Sequence, residues 1–148
     1  MLPTLSTAKP AIIAALIWTA APGWAETCSP SRPEEFNAFF ARFSTDQAFS
    51  VERTQFPLPT AHWEYGLDDA GVDGSAPVWK RISKDDFLQW KTIATYQRQE
   101  GLSVRTTMPS TDTMQVTVFR QGSDMEMRYK FSRRAGCWRF IEFVDRSL

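Results

Sequence analysis

The single histidine, His62, is the residue that any imidazole-based acid–base mechanism in this chain would have to use. No Gly-x-Ser-x-Gly elbow occurs anywhere in the sequence, and no serine or aspartate stands at a spacing that identifies a catalytic partner. His62 follows a proline-rich turn and precedes Trp63, where a lone histidine is more often a surface residue than a general base. The sequence predicts no catalytic residue and leans towards a non-catalytic protein, with an enzyme left open.

Cys28 and Cys137 are the only two cysteines, and we expect them to form a disulfide, as an even pair in an exported protein most simply does. The bond would close a loop of about 110 residues, which chain-entropy models credit with about 4–5 kcal/mol. With His62 they supply only three metal ligands, and their separation does not suit a redox pair. Thr27 before Cys28 fits a lipid-modified cysteine poorly. We therefore predict no metal site and no cofactor.

The segment from Gly66 to Pro77 combines three aspartates with three glycines. Asp68, Asp69 and Asp73 lack the spacing and the closing glutamate of an EF-hand calcium loop. Glycines and acids in such density are typical of a solvated loop, so a loop is predicted here rather than a calcium site.

The first 25 residues have the layout of a secretory signal peptide. One cation, Lys9, precedes the apolar run Ala11–Ala21, and the small residues Gly23 and Ala25 precede the expected cut. The run has about 11 residues, against about 20 for a membrane-spanning helix. We expect residues 1–25 to be removed, leaving a single domain of residues 26–148 that is periplasmic or secreted and has no membrane span after signal cleavage. An uncleaved N-terminal anchor is the alternative.

The charge of the chain argues against nucleic acid as a partner. Lys and Arg number 17, and so do Asp and Glu, and Lys9 falls in the signal segment, so the mature chain is close to neutral. A neutral chain produces no long-range field that would gather nucleic acid or an anionic membrane. No nucleic acid is predicted among the partners.

The N-terminal third predicts helices. Ser31 and Glu34 fit a capping box, with Pro33 tolerated in the first turn. Four phenylalanines then follow at the spacing i, i+3, i+4, i+7, which places them on one helical face: Phe36, Phe39, Phe40 and Phe43. Helix starts are also predicted at 44–46 and at 83–86, and Gln97 to Gly101 is interpreted as a break.

The final third predicts antiparallel strands. Residues 114–118 and 125–131 alternate apolar and polar side chains, and turn sequences separate these segments. The segment 138–144 is apolar on both faces, which favours a central strand. Helices first and a meander last indicate an α+β domain with N-terminal helices packed on one face of a curved antiparallel sheet.

One strand of this meander is predicted to have a polar face. Glu126, Arg128 and Lys130 should share a face, with cross-strand partners drawn from Gln115, Thr117 or Arg139. Solvation is the default expectation for this ladder. Arg53, after a short helix, is expected to bind the last helical carbonyls or pair with Asp46, which is a structural role.

The phenylalanine run continues into Asp46, Phe49, Arg53 and Phe56-Pro57-Leu58, and the chain closes on Tyr129-x-Phe131, Gly136-x-Trp138 and Asp145-x-Ser147. Both ends of residues 36–147 resemble a family of small exported bacterial domains of unknown function. That family is similar in fold to the nuclear-transport-factor-2-like (cystatin-like) cone, in which helices wrap a strongly bent antiparallel sheet. The resemblance carries no catalytic set, so it implies a fold and no chemistry.

Cones of this kind often hold a pocket between the helices and the sheet. If the pocket is open, Arg105 or Arg128 is the predicted anchor for an anion. The predicted ligand-binding walls are aromatic: Trp63, Tyr65, Trp90, Tyr96 and Tyr129. A domain this rich in phenylalanine is nevertheless expected to fill its interior, because protein cores pack closely.

The sequence thus predicts an exported, non-catalytic binding module for a small apolar ligand or an envelope protein. A small-pocket hydrolase or isomerase using His62 or a buried carboxylate is one alternative. An inhibitor or immunity protein directed against an envelope-targeted toxin is another. An enzyme requires a cavity on the order of 300 Å³ with a carboxylate or His62 inside it, whereas an inhibitor requires a contiguous exposed patch.

Overall fold

Residues 28–67 and 73–147 are described by a computed structural model of the protein. The helices in this part of the chain are α1 (Phe36–Phe43), α2 (Gln47–Glu52), α3 (Lys84–Phe87) and α4 (Ile93–Glu100). The strands are β1 (Leu58–Leu67), β2 (Asp73–Ile82), β3 (Ser103–Ser110), β4 (Thr113–Phe119), β5 (Glu126–Arg134) and β6 (Cys137–Asp145). The predicted signal segment, residues 1–25, lies outside the described residues, as do Asp68 and Asp69.

The six strands form one sheet in the order β2-β1-β6-β5-β4-β3. This confirms the predicted α+β class, and β6 takes the central position that its two apolar faces indicated. One pair differs from expectation, because β1 runs parallel to β6 and the sheet is therefore mixed rather than wholly antiparallel. Because β1 and β6 are far apart in the chain, no turn sequence between them could predict this pairing.

The phenylalanine stripe of α1 packs on the sheet as predicted. Phe36, Phe39 and Phe43 are buried, and Phe40 is partly buried. The ring of Phe131 on β5, which has no exposed surface, lies within 5.1–5.9 Å of all four phenylalanine centroids. All four are edge-on contacts of the kind that aromatic rings prefer, so one helix face and one strand residue fix the angle of α1 on the sheet.

The start of α1 differs from the prediction. Its N-cap is Glu35, whose carboxylate accepts a hydrogen bond from the Ala38 N–H at 2.8 Å. The predicted capping box of Ser31 and Glu34 is wrong, because Glu34 turns towards the sheet and bonds Arg53 and Trp138 instead. A second expectation, an Arg53–Asp46 pair, also fails, since Asp46 pairs with Arg42.

Two other segments are more regular than predicted. The backbone of β2 begins at Asp73, so the hairpin with β1 extends through a Gly66–Gly74 pair into the predicted loop. Helix α4 runs to Glu100 and ends on Gly101 in the left-handed conformation, so the expected break at Gln97 is one turn too early. The helix start at Ser83 is confirmed by a complete capping box with Asp86.

The disulfide between Cys28 and Cys137 is present and spans a sequence separation of 109. It fastens the segment before α1 to the first residue of β6. Beside it, the Glu34 N–H donates to the Gly136 carbonyl at 2.8 Å, which adds a second link between the same two segments.

Candidate functional site

The space between the helices and the sheet is almost completely filled. The cavity found there is about 20 Å³, which is room for about one water molecule. Its walls come from α1 to α4 and from the sheet: Phe43, Gln47, Ser50, Phe87, Trp90, Lys91, Thr92, Ile93, Tyr129 and Phe140. This interior cannot admit an organic ligand without repacking.

Three of the predicted ligand-binding residues belong to this filled interior. The rings of Trp90 and Tyr129 both pack on Phe143, at 4.9 and 5.0 Å between centroids. Tyr96 is partly buried against the same core. Burial raises the pKa of both phenols, so Tyr96 and Tyr129 stay neutral well above physiological pH. The three aromatic side chains are brought together, as packing rather than as the wall of an open pocket.

The other predicted residues lie elsewhere. Trp63 on β1 and Arg105 on the edge strand β3 both point away from the helices, and the guanidinium of Arg105 lies 5.4 Å from the centre of the Phe119 ring. Tyr65 is in β1, opposite Ser75 of β2, and its side chain lies outside what the structure describes.

The sheet surface opposite the helices, here termed the open face, is built from three rows of paired residues. The middle row crosses all six strands, because each residue is the register partner of the next: Arg105, Thr117, Arg128, Val144, Ala61 and Trp79. One flanking row contains Phe119, Glu126, Arg146, Trp63 and Pro77, and the other contains Gln115, Lys130, Glu142, Pro59 and Arg81. Strand alternation, not sequence proximity, brings these side chains to one surface.

A groove of about 330 Å³ runs across the centre of the open face. Its floor is low because Ala61 and Thr117 are small and almost fully buried among longer neighbours. Its lining residues are Trp63, Pro77, Trp79, Gln115, Arg128, Lys130, Glu142, Val144 and Arg146. An apolar rim on β1 and β2 therefore faces a charged rim on β5 and β6.

The open face is basic, although the chain as a whole carries equal numbers of basic and acidic residues. Its three rows hold five cations against two carboxylates, Glu126 and Glu142; the cations are Arg81, Arg105, Arg128, Lys130 and Arg146. Glu126 is shared by two guanidinium groups, at 2.7 Å from Arg128 and 3.6 Å from Arg146. Because one carboxylate serves two guanidinium groups, donor capacity is left over for an acidic ligand.

Two tryptophans give this surface its apolar part. Trp79 on the edge strand β2 is 54 % exposed, which is unusual for so large a side chain. The Trp63 ring is covered by the Arg146 guanidinium, 5.0 Å from its centre, and its indole N–H is buried with no hydrogen-bond partner in the described structure. A buried polar hydrogen without an acceptor is costly, so a ligand or water that supplies one would be favoured here.

A second groove, of about 360 Å³, lies beside the disulfide and is lined by residues that include Cys28, Glu34, Arg42 and Arg53. Both oxygens of Glu34 are taken up there, by the Arg53 guanidinium at 3.2 and 3.4 Å and by the Trp138 N–H at 3.0 Å. A carboxylate held in this way is an anchor between the N-terminal segment and β6. It is not placed to act as a general base.

His62 lies on β1 and pairs with Glu64 of the same strand. Its ring lies 2.6 Å from the Glu64 carboxylate, and both side chains are well exposed. Within residues 28–67 and 73–147, no group of three His, Cys, Asp or Glu side chains is arranged to hold a metal ion. No helix in the described part of the chain is long and apolar enough to cross a membrane.

Only part of the open face was predicted from the sequence. The ladder of Arg128 and Lys130 with Thr117 and Gln115 was predicted, and the register confirms it. Arg139 pairs with Ser132 and does not join it. Trp79 and Arg81 were missed as site residues. Their i, i+2 spacing indicated that they share one face of a strand, but no local pattern indicates the strand order that brings β2 to this surface.

Comparison with known proteins supports the fold. An NTF2-like protein from Bacteroides fragilis superposes with a TM-score of 0.56 at 18 % identity, over 78 % of this chain and 48 % of that one. A cystatin-like protein from Bacteroides caccae superposes with a TM-score of 0.50 at 20 % identity, over 76 % of both chains. This chain spans about half the length of the Bacteroides fragilis protein.

At these identities the likeness establishes the fold and nothing about chemistry. No family model matches the sequence, and no curated protein matches it. The resemblance drawn from the two ends of the chain is confirmed, since an NTF2-like, cystatin-like architecture is what the structure has.

Proposed function

We propose that this NTF2-like chain is an exported, non-catalytic binding module that engages a protein of the cell envelope through the open face of its sheet. The observation that carries the proposal is the contrast between its two faces. The helix-covered interior has a cavity of about 20 Å³, whereas the open face has a groove of about 330 Å³ beside an exposed tryptophan. Of the two ligand classes expected from the sequence, a protein fits this contrast better than a small apolar molecule.

Export is supported by two independent features. The N-terminal segment has the layout of a signal peptide, and Cys28 is bonded to Cys137. Disulfides persist in the periplasm and outside the cell and are rare in the cytosol. The envelope is therefore the compartment in which the partner is to be sought.

The composition of the open face supports a protein as the partner. Tryptophan and arginine are the residue types most enriched at binding hot spots, and both concentrate around this groove. An inhibitor or immunity protein is a special case of the same binding mode, since it too works through a contiguous exposed patch. An enzyme is less well supported, because Glu126 and Glu142 on the open face each pair with cations.

Site-specific photocrosslinking in the source cells tests the proposal. A photoreactive amino acid placed at Trp79 should give one dominant covalent adduct with an envelope protein. The matched control position is Leu88, another large, exposed apolar residue, which lies at the end of α3 on the other side of the sheet. Adducts of equal pattern and yield at both positions, or none at Trp79, would reject the open face as the interface.

The small-ligand alternative has its own test. Purified protein is screened by thermal shift against a set of small apolar compounds. No stabilisation is expected, because ligand binding raises the melting temperature only when a site exists in the folded state. Stabilisation that disappears on substituting Trp90, and not on substituting Trp79, would return the function to the interior.

A further inference from the structure

We infer that the partner presents an extended acidic segment, with carboxylates at alternate positions and an apolar side chain beside them, to the groove of the open face. This rests on the proposed function and names the chemistry that the same surface selects. The charged rim takes the carboxylates, and the rim formed by Trp63, Pro77 and Trp79 takes the apolar side chain.

The charge of the surface sets the sign of the partner. Five cations stand against two carboxylates in the three rows, and the Lys130 ammonium is 3.9 Å from the nearer oxygen of Glu142, a loose contact. Guanidinium groups bind carboxylates through two parallel hydrogen bonds and keep free donors after one such pair. The surface is complementary to acidic groups and repels basic ones.

The spacing of the cations favours an extended segment. Arg128 and Lys130 are two residues apart on β5, so their Cα atoms are about 7 Å apart, the same repeat as alternate side chains of another extended chain. From Arg128 the middle row crosses β6 and β1 to Trp79 on β2, about 14 Å away at the usual distance between strands. An extended segment that lies along the groove, parallel to the strands and midway between the two rims, is about 7 Å from each rim, so its alternate side chains reach the cations on one side and Trp79 on the other.

Two other occupants fit less well. A second copy of this chain has the same excess of cations, so pairing the two open faces would bring two positively charged surfaces together. An acidic polysaccharide stacks on several flat aromatic rings, and of the two tryptophans here only Trp79 is well exposed, because one side of the Trp63 ring is occupied by Arg146. An acidic protein segment uses both rims of the groove without either conflict.

Selection from a random peptide display library tests the inference without presupposing a sequence. The folded, disulfide-bonded protein should enrich peptides that carry aspartate or glutamate next to an apolar residue. The best selected peptide should bind at least about tenfold more weakly to an Arg128→Gln/Lys130→Gln variant, and its affinity should fall as salt is raised. Trp79→Ser should weaken the same peptide while leaving the salt dependence in place.

The matched control is Lys84→Gln/Arg98→Gln, which also removes one lysine and one arginine charge, but from the exposed side of α3 and α4. It should bind the selected peptide as the natural protein does. Melting temperatures of all variants establish that each is folded. Peptides without acidic enrichment, equal weakening by the control variant, or tighter binding of polygalacturonate than of the peptides would overturn the inference.

The two proposals fail in different ways. A specific adduct at Trp79 combined with no acidic preference in the selected peptides refutes the acidic segment and leaves the protein-binding function standing. Acidic peptides that bind the open face, with no adduct at Trp79 in cells, refute the proposed function.

Discussion

The guanidinium of Arg53 lies 3.2 Å from the carboxylate of Glu34, and both side chains are largely buried. The same carboxylate accepts from the Trp138 N–H, and Arg53 also reaches the sulfur of Cys28 at 3.4 Å. One ion pair thus joins the segment before α1, the end of α2 and the central strand β6. It links residues that are distant in the chain, and it stands next to the disulfide that links two of the same segments.

We expect Glu34→Ala to lower the free energy of unfolding by about 2–3 kcal/mol, because it leaves a buried guanidinium without its carboxylate. Glu52→Ala is the matched control: Glu52 also faces Arg53, at 3.9 Å, but its side chain is 74 % exposed. Its loss should be no more than about 0.5 kcal/mol. Urea unfolding of the three proteins measures both values, and equal losses would show that the Glu34 pair contributes no more than a surface contact.

The disulfide is expected to stabilise the fold because it closes a long loop of the chain. Replacing both cysteines, Cys28→Ser/Cys137→Ser, removes a crosslink between residues 109 apart, and we expect a clearly lower melting temperature under oxidising conditions. A reducing agent should lower the melting temperature of the natural protein towards that of the double variant and leave the variant unchanged. A natural protein that melts at the same temperature with and without the bond would contradict this.

Two phenylalanines of α1 provide a comparison within one helix. Phe39 is almost fully buried, whereas Phe40 is partly exposed at the edge of the same cluster. Phe39→Ala should cost about 3–5 kcal/mol, the usual range for removing a buried ring, and Phe40→Ala less than half as much. Chemical denaturation measures the difference. A reversed order would mean that α1 is rotated relative to the sheet.

Acid stability should depend on the N-cap of α2. The Asp46 carboxylate accepts from the Phe49 N–H at 3.0 Å, and this bond lowers the pKa of Asp46. Since the pKa is lower in the folded state, the ionised carboxylate stabilises the fold above the unfolded-state pKa, and this stabilisation is lost as the pH falls through the folded-state pKa.

Asp46→Asn keeps an acceptor at the cap and removes the titration. We therefore expect the melting temperature of this variant to fall less than that of the natural protein between about pH 5 and about pH 2. Asp124→Asn, in an exposed turn, serves as the control and should follow the natural protein. Parallel curves for all three proteins would contradict the assignment.

Patterns carried by residues close in sequence were predictable. The stripe of Phe36, Phe39, Phe40 and Phe43 identified the buried face of α1, and the apolar residues of 138–144 identified β6 as central. Strand β3 was missed because all of its residues are exposed. Its sequence therefore lacks the alternation of apolar and polar residues that marks a half-buried strand. Its strand conformation comes from pairing with β4, which is tertiary information.

The same limit applies to the candidate site. Arg128 and Lys130 were visible as one strand face, but Trp79 joins them only through two intervening strands, β6 and β1. Glu34 was assigned to a helix cap because its spacing from Ser31 matched one. Its actual partner, Arg53, is 19 residues away and is brought close by packing.

The position of β6 has a consequence for biosynthesis. It is the last strand of the described chain, yet it lies between β1 and β5 and carries one end of the disulfide. Until the ribosome has released this segment, β1 and β5 each keep a bare edge and α1 has only part of its docking surface. A nascent chain of this topology cannot complete its sheet or its disulfide before this strand has been synthesised.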